Sequence, residues 1–477
     1  MKTRVDTPQS RCRVGFARAD ITPPVGIYHR MWGAARHDRA TGVHRPLTAT
    51  ALHLEPLDGS GRLLVIGLDH CILDGAEIEN IRTCIGGDIA VSLSHTHGSG
   101  WMSRSRAHLP GGDLIGPYLD RLADVCAALA KEAAAAARPA TILYGYARCS
   151  LAAHRDTWDE NAEQFVCGFN TEGVADDTVV VAKVVAETGG TTLGTVVNYA
   201  CHPTTLAWEN TLISPDYVGA MREVLEANTG APCLFIQGAS GDLGPRDGYV
   251  GDVSVADRNG RQLGFVALSA LEALPAPGTY FEYAGPVVSG AVLGTWKHRP
   301  ASDAEQKSFA AWGAKRFAVP LPYRLDLPTV DSTKAELAEW EAEEIKARAA
   351  NNEPRVSECR ARAEQMTRQL TRLAAMPSGA AYPYRVMVSR LGGAVWVFCP
   401  GELYQTFQTK LRARFPDVAL VVSTVTNDWQ PGYLPSASSY GYGIYQEIIA
   451  AVAPGSLETV IEAVSREVKA LLDEPEA

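Results

Sequence analysis

Ile89-Ala90-Val91-Ser92-Leu93-Ser94-His95-Thr96-His97-Gly98-Ser99-Gly100-Trp101 is the stretch from which the chain is read. Its first five residues form an apolar run of strand length, and glycines then break the pattern, which predicts a short buried strand. The strand delivers two histidines at its exit, where open α/β sheets hold their ligands. Residues two apart on an extended backbone face the same side, so His95 and His97 are expected to look into one site. Such a pair allows one imidazole to bind a metal while the other moves protons. Two ordinary histidines on a loop give the same pattern, so the motif draws its weight from the rest of the chain.

Working outward toward the N-terminus, residues 48–54 and 63–68 read as strands, the second closed by Asp69 and His70, and residues 77–84 as a short helix. Residues 14–24 are a short apolar segment ending in a proline turn, and residues 1–12 are expected to be a disordered lead-in. Between them and the first long strand lies a loop, residues 28–45, that holds His29, His37 and His44. Toward the C-terminus, residues 114–137 carry a helical stripe at Leu119, Leu122, Val125, Cys126 and Leu129. Residues 141–149 read as a strand before a loop with His154 and Arg155. Residues 178–185 and 192–201 read as a strand pair about Gly189-Gly190, and the second delivers His202. Residues 217–228 and 255–274 read as helices around a buried strand, 233–236, that ends in Gly238-Ala239-Ser240-Gly241-Asp242.

Residues of about 301–376 change character. Two charged, alanine-rich segments, 332–350 and 355–375, predict an inserted helical hairpin with a solvated face and no catalytic residues. Strands return at 384–391 and 394–398, the latter running into Pro400-Gly401-Glu402. A helix at 403–414, a strand at 418–424, a loop dense in Tyr and Gly at 427–446 and a helix at 457–472 complete the chain. Strands and helices mixed in this way predict an α/β or α+β fold: one large mixed-sheet domain over residues 13–477 with flanking helices.

The 477 residues are 46% hydrophobic and 21% charged, an ordinary globular balance, and the net charge is -10. An acidic balance argues against nucleic acid or an anionic membrane as the main partner. No apolar run reaches the length of a transmembrane helix. The polar, basic start has no apolar segment behind it, so a secretory signal is not expected. Ten scattered cysteines without a CxxC pair suggest reduced thiols and a cytoplasmic protein. A homo-oligomer is left open.

Polar groups stand at the ends of four apolar runs or loops: His95-Thr96-His97, His202, Glu402 and the loop with Tyr433. Two histidines and a carboxylate compose a catalytic zinc set with a position left for water. Residue physics alone does not select these from eleven histidines and many acids. In order along the chain, however, stand Ala19-Asp20-Ile21-Thr22-Pro23, Thr41-Gly42-Val43-His44, Ser94-His95-Thr96-His97, Ala200-Cys201-His202-Pro203, Ile213-Ser214-Pro215-Asp216-Tyr217, Gly238-Ala239-Ser240-Gly241-Asp242, Pro400-Gly401-Glu402 and Gly432-Tyr433-Leu434-Pro435. With these motifs the chain resembles the neutral/alkaline (non-lysosomal) ceramidases, in particular short bacterial ceramidase-like proteins without the C-terminal immunoglobulin-like domain.

The resemblance implies a zinc-dependent hydrolase that cleaves an amide (N-acyl) bond by attack of metal-bound water. It implies His95, His202, Glu402 and Tyr433 as ligands of the zinc ion and His97 as the proton carrier beside it. Arg155 matches an oxyanion-binding arginine, Tyr445 a tyrosine at the reacting group and His44 a histidine near the pocket. Trp101 is expected at the substrate and Asp242 behind the histidines. The sequence departs from the family at Gly98-Ser99-Gly100, where Ser-Gly-Pro is usual, and at Gln446, where Glu is usual. The expected partner is a small N-acyl compound. Two other functions remain: a zinc hydrolase of an ester, lactone or other small molecule, and a non-catalytic zinc-stabilised binding protein.

Overall fold

The computed structural model describes residues 2–87 and 89–473. Its strands alternate their side chains between two faces, and that alternation builds two stacked sheets. The larger comprises β1 (Gln9–Asp20), β2 (Thr48–Glu55), β3 (Leu63–Leu68), β4 (Ile89–Leu93), β5 (Arg138–Arg148), β6 (Thr178–Ala186), β7 (Thr192–Tyr199) and β8 (Cys233–Gln237). They lie in the order β8-β7-β6-β5-β1-β2-β3-β4. Only the pairs β3/β4 and β7/β8 are parallel. The smaller sheet places β9 (Trp312–Pro322), β10 (Ala381–Leu391), β11 (Ala394–Phe398) and β12 (Ala419–Ser423) side by side in chain order, with β11 and β12 parallel.

Val14 on β1, Leu52 and Leu54 on β2, Val65 on β3 and Ile142 on β5 point toward the smaller sheet. There they meet Met387, Trp396, Phe398 and Val421 in one core. The alternate residues face helices. Leu64, Ile66, Val91 and Leu93 pack with α1 (Gly75–Ile85) and α2 (Ile115–Ala135). Val179, Val181, Val197 and Phe235 pack with α3 (Tyr217–Thr229) and α4 (Val253–Glu272). On the far side of the smaller sheet, Val386, Val395 and Leu420 meet residues of α7 (Thr406–Arg414) and α8 (Ser456–Asp473). The layers are therefore helix, sheet, sheet, helix. Each fully buried aliphatic chain contributes roughly 1.5–3 kcal/mol.

The larger sheet curls until its ends approach. A Cβ on Gly67 of β3 would lie 2.4 Å from the Leu234 Cδ1 on β8, so the two edge regions pack side chain to backbone there. This curl brings the C-terminal ends of β4 and β7 together although five strands separate them in the sheet order.

Two expectations are corrected. The segment read as a disordered lead-in is paired at two places: Arg4–Val5 lies antiparallel to Phe281 and Glu282, and β1 pairs with β5 from Gln9 onward, where Ser10 Oγ donates to the Leu391 carbonyl at 2.5 Å. Its polar residues hid a ladder made by backbone groups. The large mixed sheet is present as expected, with eight strands; that β9–β12 form a second sheet was not legible, since alternation tells which residues are inward but not which sheet they join. Within 301–376, β9 precedes the helical pair α5 (Val330–Ala349) and α6 (Glu353–Ala375). A hairpin of Thr279–Ser289 and Ala291–Pro300 stands out from the body with Val288 and Val292 exposed, and the sequence reading assigned it no structure. No described helix is long and apolar enough to cross a membrane.

Candidate active site

β4 ends at Leu93, and the chain then turns. His95 adopts φ +65°, a left-handed conformation that costs a non-glycine residue about 1–3 kcal/mol. The turn swings its imidazole back until Nδ1 lies 2.8 Å from the Cys71 carbonyl. His97 opens a single 3-10 turn capped by the Thr96 hydroxyl. The two rings therefore meet through this turn, centroids 5.3 Å apart and edge to face, and not through strand alternation as expected. Gly98 is required here: a Cβ would stand 2.6 Å from the Ser214 carbonyl oxygen.

β7 delivers His202. The carbonyl before it, of Cys201, accepts from the Tyr217 hydroxyl at 2.6 Å and from Gln237 Nε2 at 2.9 Å, which fixes the turn. His202 Nδ1 lies 2.8 Å from the Ser240 carbonyl. β11 runs on to Glu402, and Glu402–Leu403 pairs in parallel with Tyr433–Leu434, residue 402 beside residue 433.

A carbonyl oxygen only accepts, so both Nδ1 atoms carry hydrogen and both Nε2 atoms point inward. These Nε2 atoms are 3.1 Å apart. Glu402 Oε2 sits 3.3 Å from His95 Nε2 and 3.0 Å from His202 Nε2. Tyr433 Oη is 3.4 Å from His202 Nε2. Electron pairs thus converge from three elements in a buried space, an arrangement that requires positive charge. Burial opposes that charge, yet Cys71 and Glu402 hold the His95 pKa well above the ordinary value. Burial likewise pushes Glu402 up, but the two imidazoles outweigh it and keep the carboxylate well below its usual range. A divalent cation satisfies the donors together, and His95, His202 and Glu402 fit one. Cys71, His95 and His97 form a second candidate cluster. There, however, Cys71 Sγ lies 3.7 Å from the His95 Nδ1 that already donates to a carbonyl.

His97 is set apart from the donors. Both of its ring nitrogens are buried without a hydrogen-bond partner among the described residues, and Trp32 packs against it at 4.9 Å. Burial first, then the imidazoles of His95 and His202, hold its pKa well below the ordinary value, leaving a neutral base. Arg155 Nη2 donates to the Gly241 carbonyl at 2.6 Å and to Tyr433 Oη at 3.0 Å. Tyr445 meets Tyr433 edge to face at 5.8 Å and is 45% exposed, at the mouth. These side chains line a cavity of about 310 Å³. It shares His97, Tyr433 and Tyr445 with a recess of about 60 Å³ that reaches His95, Glu402 and Trp101.

Residues 12–245 match the family model described as neutral/alkaline non-lysosomal ceramidase, N-terminal. Residues 12–245 belong to the neutral/alkaline ceramidase family. The ceramidase-family segment supplies His95, His97, Arg155 and His202, while Glu402, Tyr433 and Tyr445 come from beyond it. Two solved structures share the fold of nearly the whole chain. Neutral ceramidase from Pseudomonas aeruginosa aligns with TM-score 0.62 at 15% identity, over 97% of this chain and 74% of its own. A ceramidase complexed with C2 aligns with TM-score 0.66 at 14% identity, over 99% and 76%. No curated protein matches the sequence.

The remaining expected site residues of this ceramidase-like chain are placed differently from one another. Trp101 lines the recess, its ring between the guanidiniums of Arg106 at 4.2 Å and Arg368 at 4.7 Å. His44 does not line the cavity. Its ring is held by Ser214 Oγ at 2.9 Å and the Asp257 carboxylate at 3.0 Å, behind the segment against which the His97 loop packs. Asp242 touches neither ligand imidazole, whose partners are backbone carbonyls. Its carboxylate accepts from Gln405 N at 2.8 Å and Gln405 Nε2 at 3.0 Å, which anchors the chain just after Glu402.

The helical hairpin is the largest correction. Far from being only a solvated face, α6 turns Glu364, Arg368 and Arg372 into the cavity. Glu364 accepts two bonds from Arg106, at 3.2 and 2.8 Å, and one from Arg368 at 2.7 Å. Arg106 also donates to the Tyr28 hydroxyl at 2.9 Å. The i, i+4, i+8 spacing of these three residues was visible as one helix stripe, but nothing in the sequence joins it to Arg106, 258 residues away.

Proposed function

We propose that this chain is a zinc-dependent hydrolase of an amide (N-acyl) bond, with N-acylsphingosine or another N-acyl compound as substrate. The observation that carries the reading is the convergence of two inward Nε2 atoms on the Glu402 carboxylate. His95, His202 and Glu402, with the Tyr433 hydroxyl beside them, would hold the ion. A mixed imidazole and oxygen set suits zinc. A zinc ion supplies a water acidified to a pKa of about 7 and polarises a carbonyl oxygen.

The chain's own groups account for the rest. His97, neutral and free at both nitrogens, takes the proton that water gives up. The carbonyl carbon gains hydroxyl, the carbon–nitrogen bond breaks, and His97 returns the proton to the departing nitrogen. Arg155 and Tyr445 stand where negative charge develops on the carbonyl oxygen. A free base next to the ligand set speaks against a purely structural ion, which closes its coordination. All ten cysteines are free thiols, which supports a cytoplasmic location. The test is release of free amine from neutral N-acyl substrates by purified, zinc-replete protein, with matched esters alongside. Ester cleavage without amide cleavage overturns the reading.

A further inference from the structure

We infer that Arg372 binds a carboxylate on the substrate, so that the amide cleaved here belongs to an anionic N-acyl compound such as an N-acyl amino acid. The inference rests on the amidase reading for its reaction and on the cavity wall for its chemistry. Three guanidiniums, Arg155, Arg368 and Arg372, line the cavity, and each is accounted for differently. Arg368 is matched by Glu364. Arg155 also lacks a carboxylate partner among the described residues, but it is held at the Gly241 carbonyl and the Tyr433 hydroxyl, beside the ligand set, where the proposed reaction uses it. Arg372 is only 7% exposed and has no carboxylate partner among the described residues; its hydrogen bonds go to Gln369, one turn back on its own helix.

A buried guanidinium without a counter-ion is costly, and a structure that served stability alone would have replaced it with an apolar side chain. Burial lowers its pKa to about 10, so it remains charged at neutral pH. Arg372 also lines the recess beside His95 and Glu402, which places it within a small molecule's length of the reacting bond. The planar fork of a guanidinium matches a carboxylate through two parallel bonds. Arg372 presents one such fork toward the cavity, which fits a carboxylate, while the fork of Arg368 is engaged by Glu364, a carboxylate it shares with Arg106. Trp32, Met31 and Ile449 supply apolar wall for the acyl chain.

The experiment measures calorimetric affinity for N-dodecanoylglycine and for its neutral amide, N-dodecanoylglycinamide, in a slow-turnover His97→Ala background. The acid should bind at least about ten-fold tighter than the amide, the scale of a charge-assisted hydrogen bond. Adding Arg372→Gln should abolish that preference and leave affinity for the neutral amide within about two-fold. Arg372→Lys keeps the charge without the fork and should retain only part of the preference; it also serves if the Gln variant does not fold. Equal affinity for the two ligands, no binding of either, or an acid preference that survives both substitutions overturns the inference. Hydrolysis by the wild type is read separately: failure to cleave either compound removes the amidase reading while the binding difference stands or falls by itself.

Discussion

Glu364→Gln should destabilise the protein at neutral pH and release α6 from the cavity. Glu364 is 8% exposed and holds two arginines from different elements, Arg106 and Arg368. Burial pushes its carboxyl up, but the arginines prevail and its pKa falls from 4.5 to about 2. A shift of that size amounts to roughly 3 kcal/mol at about 1.4 kcal/mol per unit. Because the folded pKa is the lower one, this stabilisation is fully present above about pH 4.5 and is lost as pH falls toward 2. The variant also leaves Arg106 buried beside a neutral amide, and breaking a buried pair costs about 3–5 kcal/mol. The assay is urea denaturation of both proteins across pH 7 to 3.5, with hydrogen exchange over residues 353–375. The expected result is a gap of about 3 kcal/mol at pH 7 that narrows below pH 4.5, with faster exchange concentrated in α6. A gap under about 0.5 kcal/mol, or one independent of pH, would show that this network does not dock the hairpin.

Further outcomes follow from the same geometry. His97→Ala should keep its metal and fold and lose about 10² to 10⁴-fold in kcat; metal loss in that variant would make His97 a ligand. Gly98→Ala should destabilise by about 1–3 kcal/mol, since its Cβ meets the Ser214 carbonyl oxygen, and thermal unfolding checks this. Thiol titration under denaturing, non-reducing conditions should count all ten cysteines, and several missing thiols would contradict the cytoplasmic proposal.

Much of the core was legible because burial on alternating faces leaves a period of two or an unbroken apolar run. Residues 63–68, 89–93 and 394–398 were read in this way and are β3, β4 and β11. Which strands shared a sheet was not legible, because inward residues of either sheet read alike. Residues 9–12 escaped notice because backbone hydrogen bonds pair them and only Cys12 among them enters the apolar core. At the site, His95, His97, His202, Glu402 and the loop with Tyr433 were all marked by the ends of apolar runs or loops, but choosing them from eleven histidines and many acids needed the family resemblance. Arg368 and Arg372 were missed for a physical reason. On a charged, alanine-rich helix a cation is ordinarily solvated, and only the packing of α6 against Tyr28, Trp101 and Arg106 buries this stripe. Asp242 was misplaced because a carboxylate behind a ligand histidine is common, and here backbone carbonyls of Cys71 and Ser240 fill that role.

The central claim is that His95, His202 and Glu402 form one metal centre. It is tested most directly by elemental analysis of the purified protein beside its His202→Ala variant, with circular dichroism to verify folding. The account predicts about one zinc per chain in the parent and little or none in the folded variant. Full occupancy in His202→Ala, or a parent that binds no divalent metal when zinc is supplied, would contradict it.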